Sequence, residues 1–244
     1  ALTCRADKVD GGWLINGQKT WCSNAHFARS ILLIARTDKS GRKHEGLTQF
    51  HVPAGTAGLE IRGIDTLGGR EVNDLYFTDC FLPDSAVVGQ VGNGWNQLMA
   101  GLYTERLILA AMQLGRAERS FAQTLQFITE RKQFGRPIGT FQALRHRMAD
   151  LATEIECTRL LVYSVARKAD DNPDKLLPRE ASMAKLKATE TSKKMTIDAM
   201  QMMGGYGYAT EFDAEAMMRA SIISTVYGGT NEIQRDIIGK TFGL

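Results

Sequence analysis

GNGWNQLMAGLYTERLILAA, residues 92–111, is the stretch where this 244-residue chain changes its period. Upstream of the two glycines, short runs of β-branched and aromatic residues are separated by glycine and Asp/Asn clusters. Downstream, Leu98, Leu102, Leu109 and Met112 recur at helical spacing and share one face. Two elements of different kind therefore meet here, and the chain divides into a β-rich part, 1–90, and a helical part, 91–244.

The β-rich part opens with ALTCRADKVDGGWLING (1–17), which reads as strand, turn and strand. SILLIART (30–37) is a short apolar run, GLTQFHVPA (46–54) alternates, and NDLYFTDCFLP (73–83) ends at a proline. Such meandering strands predict an antiparallel barrel or sandwich. In the helical part, Ala122, Leu125 and Ile128 continue the pattern, as do Leu144, Met148 and Leu151. ADDNPDKLLPRE (169–180) reads as an inter-helix loop. A helix over 179–203 is expected to stop at Gly204-Gly205, and a last one to follow Gly228-Gly229-Thr230. Thr230 or Asn231 is its N-cap, with Glu232 in the first turn. The sum is an α+β fold: a β domain followed by a four-helix bundle.

Composition excludes several classes. With 43% hydrophobic and 23% charged residues and a net charge of +3, the chain is an ordinary globular protein without a nucleic-acid footprint. Its apolar runs, such as Ile31–Ala35, are too short to span a bilayer, and its opening residues do not read as a signal peptide. Cys4, Cys22, Cys80 and Cys157 lack metal spacing and read as free thiols; His26, His44, His51 and His146 also lack it. No GxSxG motif suggests a hydrolase. A start inside a hairpin, without an initiator Met, suggests a fragment or a processed chain.

Several residues are candidates for chemistry. Glu105 falls on the Leu98–Met112 stripe, where a carboxylate is costly unless paired or used. Desolvation there suits a general base, while the pattern alone favours a buried ion pair. Trp21 and Ser23 share a strand face by the two-residue period and could wall a flat heterocycle, or pack as ordinary barrel residues. ERKQFGRPIGTFQ (130–142) gathers Arg131, Gln133, Phe134 and Gln142 around a turn, a set able to hold a pyrophosphate or to form a solvated corner. QMMGGYGY (201–208) permits close backbone approach, a weak signal alone. Met195, Met200, Met202, Met203, Met217 and Met218 read as core filler.

KTWCSNA, YTERLILA, ERKQFGRPIGTFQ, QMMGGYGY and YGGTNEIQR occur in an order and spacing that resembles the acyl-CoA dehydrogenase family over essentially the whole chain. The resemblance implies FAD, an acyl-CoA thioester, electron transfer flavoprotein as acceptor, and a homotetramer or homodimer. It implies a middle β domain and a C-terminal bundle, with an N-terminal helical domain absent from this chain. The setting would be the bacterial cytoplasm or the mitochondrial matrix, with no membrane span and no nucleic acid. By resemblance, Trp21 and Ser23 lie against the isoalloxazine. Arg131, Gln133, Phe134, Gln142, Gln201, Gly204, Gly205, Thr230 and Glu232 contact FAD, and Arg106 and Tyr227 lie near the substrate.

Many members of the family carry the catalytic glutamate in the turn, where this chain has Gly228. The long-chain and isovaleryl subgroups have a small residue there and a glutamate on the first helix of the bundle, and Glu105 matches that place. The resemblance thus makes Glu105 the base that removes the pro-R α-proton, opposite flavin N5. The Gly228 N–H becomes an oxyanion donor, and a glycine at the turn is expected to free volume for long or branched acyl chains. An acyl-CoA oxidase and a non-catalytic remnant serving oligomerisation are the alternatives.

Overall fold

The computed structural model describes residues 3–173 and 176–244. Ala1 and Leu2 of the expected first strand, and Asp174 and Lys175 of the expected loop, lie outside the described residues. The chain forms two compact units that divide at Ala100 and Gly101, and each is described by itself.

The first unit is one seven-stranded sheet. Its strands are β1 (Arg5–Val9), β2 (Gly12–Ser23), β3 (Ser30–Arg36), β4 (Leu47–Pro53), β5 (Leu59–Thr66), β6 (Gly69–Pro83) and β7 (Val87–Val88). They lie in the order β5-β6-β2-β1-β3-β4-β7. The β1–β2 hairpin turns at Gly11, whose φ of +74° is the left-handed conformation that glycine adopts without strain. All pairings are antiparallel except β1 with β3, where Arg5 faces Arg36. Ile15, Phe50, Val52, Leu75 and Leu82 are almost fully buried, and Trp13 meets Phe50 edge to face at 5.6 Å. The alternation expected of β4 is not found at its start: Leu47, Thr48, Gln49 and Phe50 are buried in succession. Both faces are covered at this end, so the pattern runs continuously.

The second unit is helical. The first helix, α1 (Gly94–Glu130), starts before the division, and α2 (Gln142–Asp171), α3 (Pro178–Met203), α4 (Gly205–Tyr208), α5 (Ala214–Ile222) and α6 (Asn231–Lys240) follow. Three helices are long, where periodicity suggested about four; α5 and α6 are short. A two-stranded hairpin, β8 (Lys132–Gln133) and β9 (Arg136–Pro137), links α1 to α2. Pro178 begins α3, where its missing N–H is harmless, and Gly204 ends it at φ +60°.

The buried face of α1 is not the leucine stripe. Ala110, Gln113, Leu114, Ala117, Thr124 and Ile128 point inward, while Met112 and Leu125 are exposed. Leu98, Leu102 and Leu109 form a half-buried flank. Ala110, Leu114, Ala117 and Ile128 share one core cluster with Met148 and Leu151 of α2 and Ala184 and Ala188 of α3. The bulkier leucines are left on the flank that carries Glu105. Met195, Met202 and Met203 are buried filler, as expected, whereas Met200, Met217 and Met218 are half-buried, and Met200 and Met218 line a cleft instead. The four cysteines are free, and no group of metal-ligating side chains occurs among the described residues. No described helix is long and apolar enough to cross a membrane.

Candidate active site

The turn before α6 is held from beneath by buried polar side chains. Gly228 and Gly229 have φ of +63° and +87°, both in the left-handed region. The Thr230 hydroxyl accepts the Ile233 N–H at 3.3 Å and is the N-cap of α6. The Gln234 side-chain amide donates to the carbonyls of Gly228 at 3.1 Å and Gly229 at 2.9 Å. Lys185, on α3 and fully buried, donates to the Gly229 carbonyl at 2.9 Å and to Asn231 Oδ1 at 3.1 Å. On the other side of the turn, Gln113 Nε2 donates to the Tyr227 hydroxyl at 2.7 Å, and Gln113 Oε1 accepts from the Arg116 guanidinium at 2.6 Å. Replacing the cap by Thr230→Ala is expected to lower stability by about 1 kcal/mol, read as a shift in the urea unfolding midpoint.

The carbonyls of the turn are therefore occupied, whereas none of the described residues accepts the N–H of Gly228 or Gly229. A Cβ built on Gly228 would lie 2.5 Å from Leu109 Cδ1. Leu109 thus sits in the space that a side chain at the turn would take. Glu105 is one helical turn earlier on α1, and i,i+4 positions share a face. The structure brings the Glu105 flank and the turn together. Glu105 is exposed, however, so the burial expected from the stripe is not there, and no described side chain forms the ion pair that the pattern also allowed.

Arg106 is half-buried. Its guanidinium lies 5.5 Å from the Tyr103 ring, and its Nε is buried without a protein acceptor. Burial pulls the Lys185 pKa down to about 8; Glu232 opposes that shift and Arg106 adds to it. The Glu232 carboxyl is exposed and held below its usual range, first by its own backbone N–H, then by the Thr230 hydroxyl, Arg235 and Lys185. The Tyr227 hydroxyl accepts from Gln113, which occupies one lone pair and leaves its own O–H able to donate.

A second cluster joins residues distant in sequence. The Arg131 guanidinium lies 5.1 Å from the Tyr206 ring, which packs on Phe127 and Phe212. The 131–134 stretch and the 201–206 stretch are thereby neighbours. Gln201 and Gly204 line a cleft of about 440 Å³ with Ile197, Met200, Tyr208 and Met218. Added Cβ atoms at Gly204 and Gly205 would meet nothing within 4 Å, so the backbone is open to close approach. Phe134, at φ +53°, sits at the β8–β9 tip and is 91% exposed; Gln133 and Gln142 are exposed beside it in sequence.

Trp21 and Ser23 belong to the β unit. The two-residue period does not carry through them: the β2–β6 register shifts between Lys19 and Cys22, and Trp21 has φ +64°. A bulge re-aims the tryptophan, which is 68% exposed, and Ser23 is exposed as well.

Sequence profiles agree with this architecture. Residues 92–243 match the acyl-CoA dehydrogenase C-terminal domain, and residues 1–80 match the acyl-CoA dehydrogenase middle domain. The chain belongs to the acyl-CoA dehydrogenase family. Members of this family are FAD-dependent. The mitochondrial isovaleryl-CoA dehydrogenase of Arabidopsis thaliana is 37% identical over 98% of this chain and 58% of its own length. The mitochondrial short/branched chain specific acyl-CoA dehydrogenase of Rattus norvegicus is 37% identical over 98% of this chain and 56% of its own. The crystal structure of an acyl-CoA dehydrogenase from Geobacillus kaustophilus superposes with a TM-score of 0.95 at 32% identity, over 100% of this chain and 64% of that one. The chain thus spans under two thirds of these acyl-CoA dehydrogenases.

Residues that the sequence did not single out are the polar supports of the turn, Lys185, Gln113 and Gln234; Leu109 was read only as part of the apolar stripe. One signal for Lys185 was present. It stands between Ala181, Ala184 and Ala188 on the small-residue face of α3, and that face is buried.

Proposed function

We propose that the protein carrying this chain is a flavin-dependent α,β-dehydrogenase of acyl-CoA thioesters, with Glu105 as the base. The observation that carries the reading is Leu109 against Gly228. The turn has no side chain and its space is taken from α1, and the carboxylate one helical turn before Leu109 lies on the same flank of α1.

FAD, when bound, supplies the acceptor for the β-hydride. The donor set in this chain fits that group. Arg131 and the exposed amides of Gln133, Gln142 and Gln201 suit a diphosphate and an adenine, and the open backbone at Gly204 and Gly205 admits a close ligand. In the β unit, the exposed Trp21 ring beside Ser23 suits a flat heterocycle. Thr230 and Glu232 complete the assigned contacts at the head of α6. Arg106, with its unpartnered Nε, and Tyr227 belong on the substrate side.

Glu105 takes the α-proton as a carboxylate. The charge that develops on the thioester oxygen is met by the Gly228 N–H, which has no acceptor of its own among the described residues. The acyl group is short and branched, as in the relatives' names. Leu109 fills much of the space expected to be freed at the turn, which argues against the longest chains. Electron transfer flavoprotein is the acceptor, and a second copy of the protein covers the exposed Phe134 tip.

An anaerobic titration of the complete flavin-loaded protein tests the reading. A branched short-chain acyl-CoA is expected to bleach the visible flavin band, and the reduced protein to release little hydrogen peroxide in air. A sharp optimum at straight-chain butyryl-CoA rejects the substrate assignment. Stoichiometric peroxide would make the protein an oxidase, and no bleaching with any acyl-CoA would leave a non-catalytic family member.

A further inference from the structure

Lys185 has no place in the chemistry described so far, yet it is a fully buried lysine within two bonds of the turn. Burying an ammonium is costly, and it persists where the charge is put to use or fully satisfied. Here it is not fully satisfied: two acceptors, the Gly229 carbonyl and Asn231 Oδ1, face a group with three donors. Both acceptors already have another donor. Gln234 serves the Gly229 carbonyl at 2.9 Å, and Thr189 serves Asn231 Oδ1 at 3.1 Å. The lysine is therefore not needed to satisfy the turn. What it adds is a fixed positive charge on the carbonyl edge.

Peptide units are planar and trans, so a carbonyl turned one way sends the N–H of the same unit the other way. With the Gly228 and Gly229 carbonyls held by Gln234 and Lys185, the N–H groups of Gly229 and Thr230 point away from them. Gly228 itself is clamped between this anchored edge and Tyr227, which Gln113 holds. We propose that Lys185 is a positioning residue for the substrate carbonyl: its buried ammonium holds the Gly228–Gly229 turn by the carbonyl edge and keeps the backbone N–H groups aimed at an incoming thioester oxygen. Its charge also polarises the Gly229–Thr230 peptide whose oxygen it grips, which strengthens the Thr230 N–H on the opposite edge; the Gly228 N–H, in the Tyr227–Gly228 peptide, is positioned through the anchored chain rather than polarised. The charged neighbours that act on it are Glu232, on α6, and Arg106, on α1. This inference rests on the reading of the Gly228 N–H as the carbonyl donor.

The test measures binding to the oxidised complete protein of two CoA compounds that it cannot oxidise. One is an enoyl-CoA thioester; the other is the matching thioether, with a methylene in place of the carbonyl. The parent is expected to prefer the thioester by about tenfold or more. In Lys185→Met most of that preference disappears while thioether affinity and melting temperature hold, and Lys185→Arg recovers part of it. The infrared stretch of a ¹³C-labelled thioester carbonyl, lowered on binding to the parent, moves back toward its free value in the methionine variant.

Equal binding of the two compounds by the parent would sink the carbonyl-donor reading itself. A parent preference kept intact in Lys185→Met overturns the role of Lys185 and leaves that reading standing. Loss of affinity for both compounds alike means a scaffold role only and also overturns it. Should the methionine variant not fold, Asn231→Ala removes one of the lysine's two anchors. A reduced thioester preference there supports the proposal, and an unchanged one defeats it.

Discussion

Glu105→Gln in the complete flavin-loaded protein will bind an acyl-CoA with near-parent affinity and bleach its flavin about a thousandfold more slowly, since a positioned general base contributes roughly 10²–10⁴ in rate. The amide matches the carboxylate in shape and cannot take a proton. Glu105 is exposed on a helix flank, so the exchange leaves the core of the bundle untouched and surface changes of this kind alter stability little. Anaerobic stopped-flow absorbance separates the two steps, binding and bleaching. Equal bleaching rates in parent and variant would place the base elsewhere and remove the central assignment. Gly228→Glu offers no substitute: residue 228 would have to hold a side chain at φ +63°, against Leu109.

Between pH 8 and 10.5 the parent will gain stability relative to Lys185→Met, by up to about 3 kcal/mol at the top of the range. Burial lowers the folded-state pKa of Lys185 to about 8 from 10.5. Within that window the unfolded lysine keeps its proton and the folded one sheds it. The unfolded state binds more protons, so stability from this group rises with pH. Below pH 8 the folded protein bears the whole cost of the buried ammonium, and above 10.5 it bears none. Other groups titrate in both proteins, so the observable is the difference between two urea titrations across pH. A flat difference means that Lys185 is not desolvated in solution. Methionine is tolerated at this position because the Gly229 carbonyl and Asn231 Oδ1 keep Gln234 and Thr189 as donors.

Local signals in the sequence carried far. The hairpin at Gly11, the change of period near residue 94, the stop at Gly204 and the cap at Thr230 each depend on a few adjacent residues, and each stands where it was expected. Features set by distant partners were not legible. The buried face of α1 was misread because leucines were counted, whereas the face that enters the core carries Ala110, Ala117 and Thr124. The bulge at Trp21 depends on the opposing β6, which no alternation rule sees. Glu105 was proposed on the expectation of a buried stripe, and that stripe is a half-covered flank on which Glu105 is exposed. Motif order supplied most of the candidate ligand-facing residues. The buried supports of the turn were missed because Lys185 and Gln113 reach it across 44 and 114 residues of chain.

The contact between Leu109 and Gly228 also constrains how such a site could change by single steps. A residue larger than glycine can enter position 228 comfortably only once position 109 has shrunk or swung aside, and even then the left-handed backbone disfavours it. Shrinking position 109 first opens a hole beside an empty turn, which gains nothing until the second substitution arrives. Neither order is free of a disadvantageous intermediate. Two positions 119 apart in the chain, read from the numbers 109 and 228, therefore behave as one inherited unit. A lineage that has taken the glycine-and-leucine arrangement is held to it by the intermediate states on the way out.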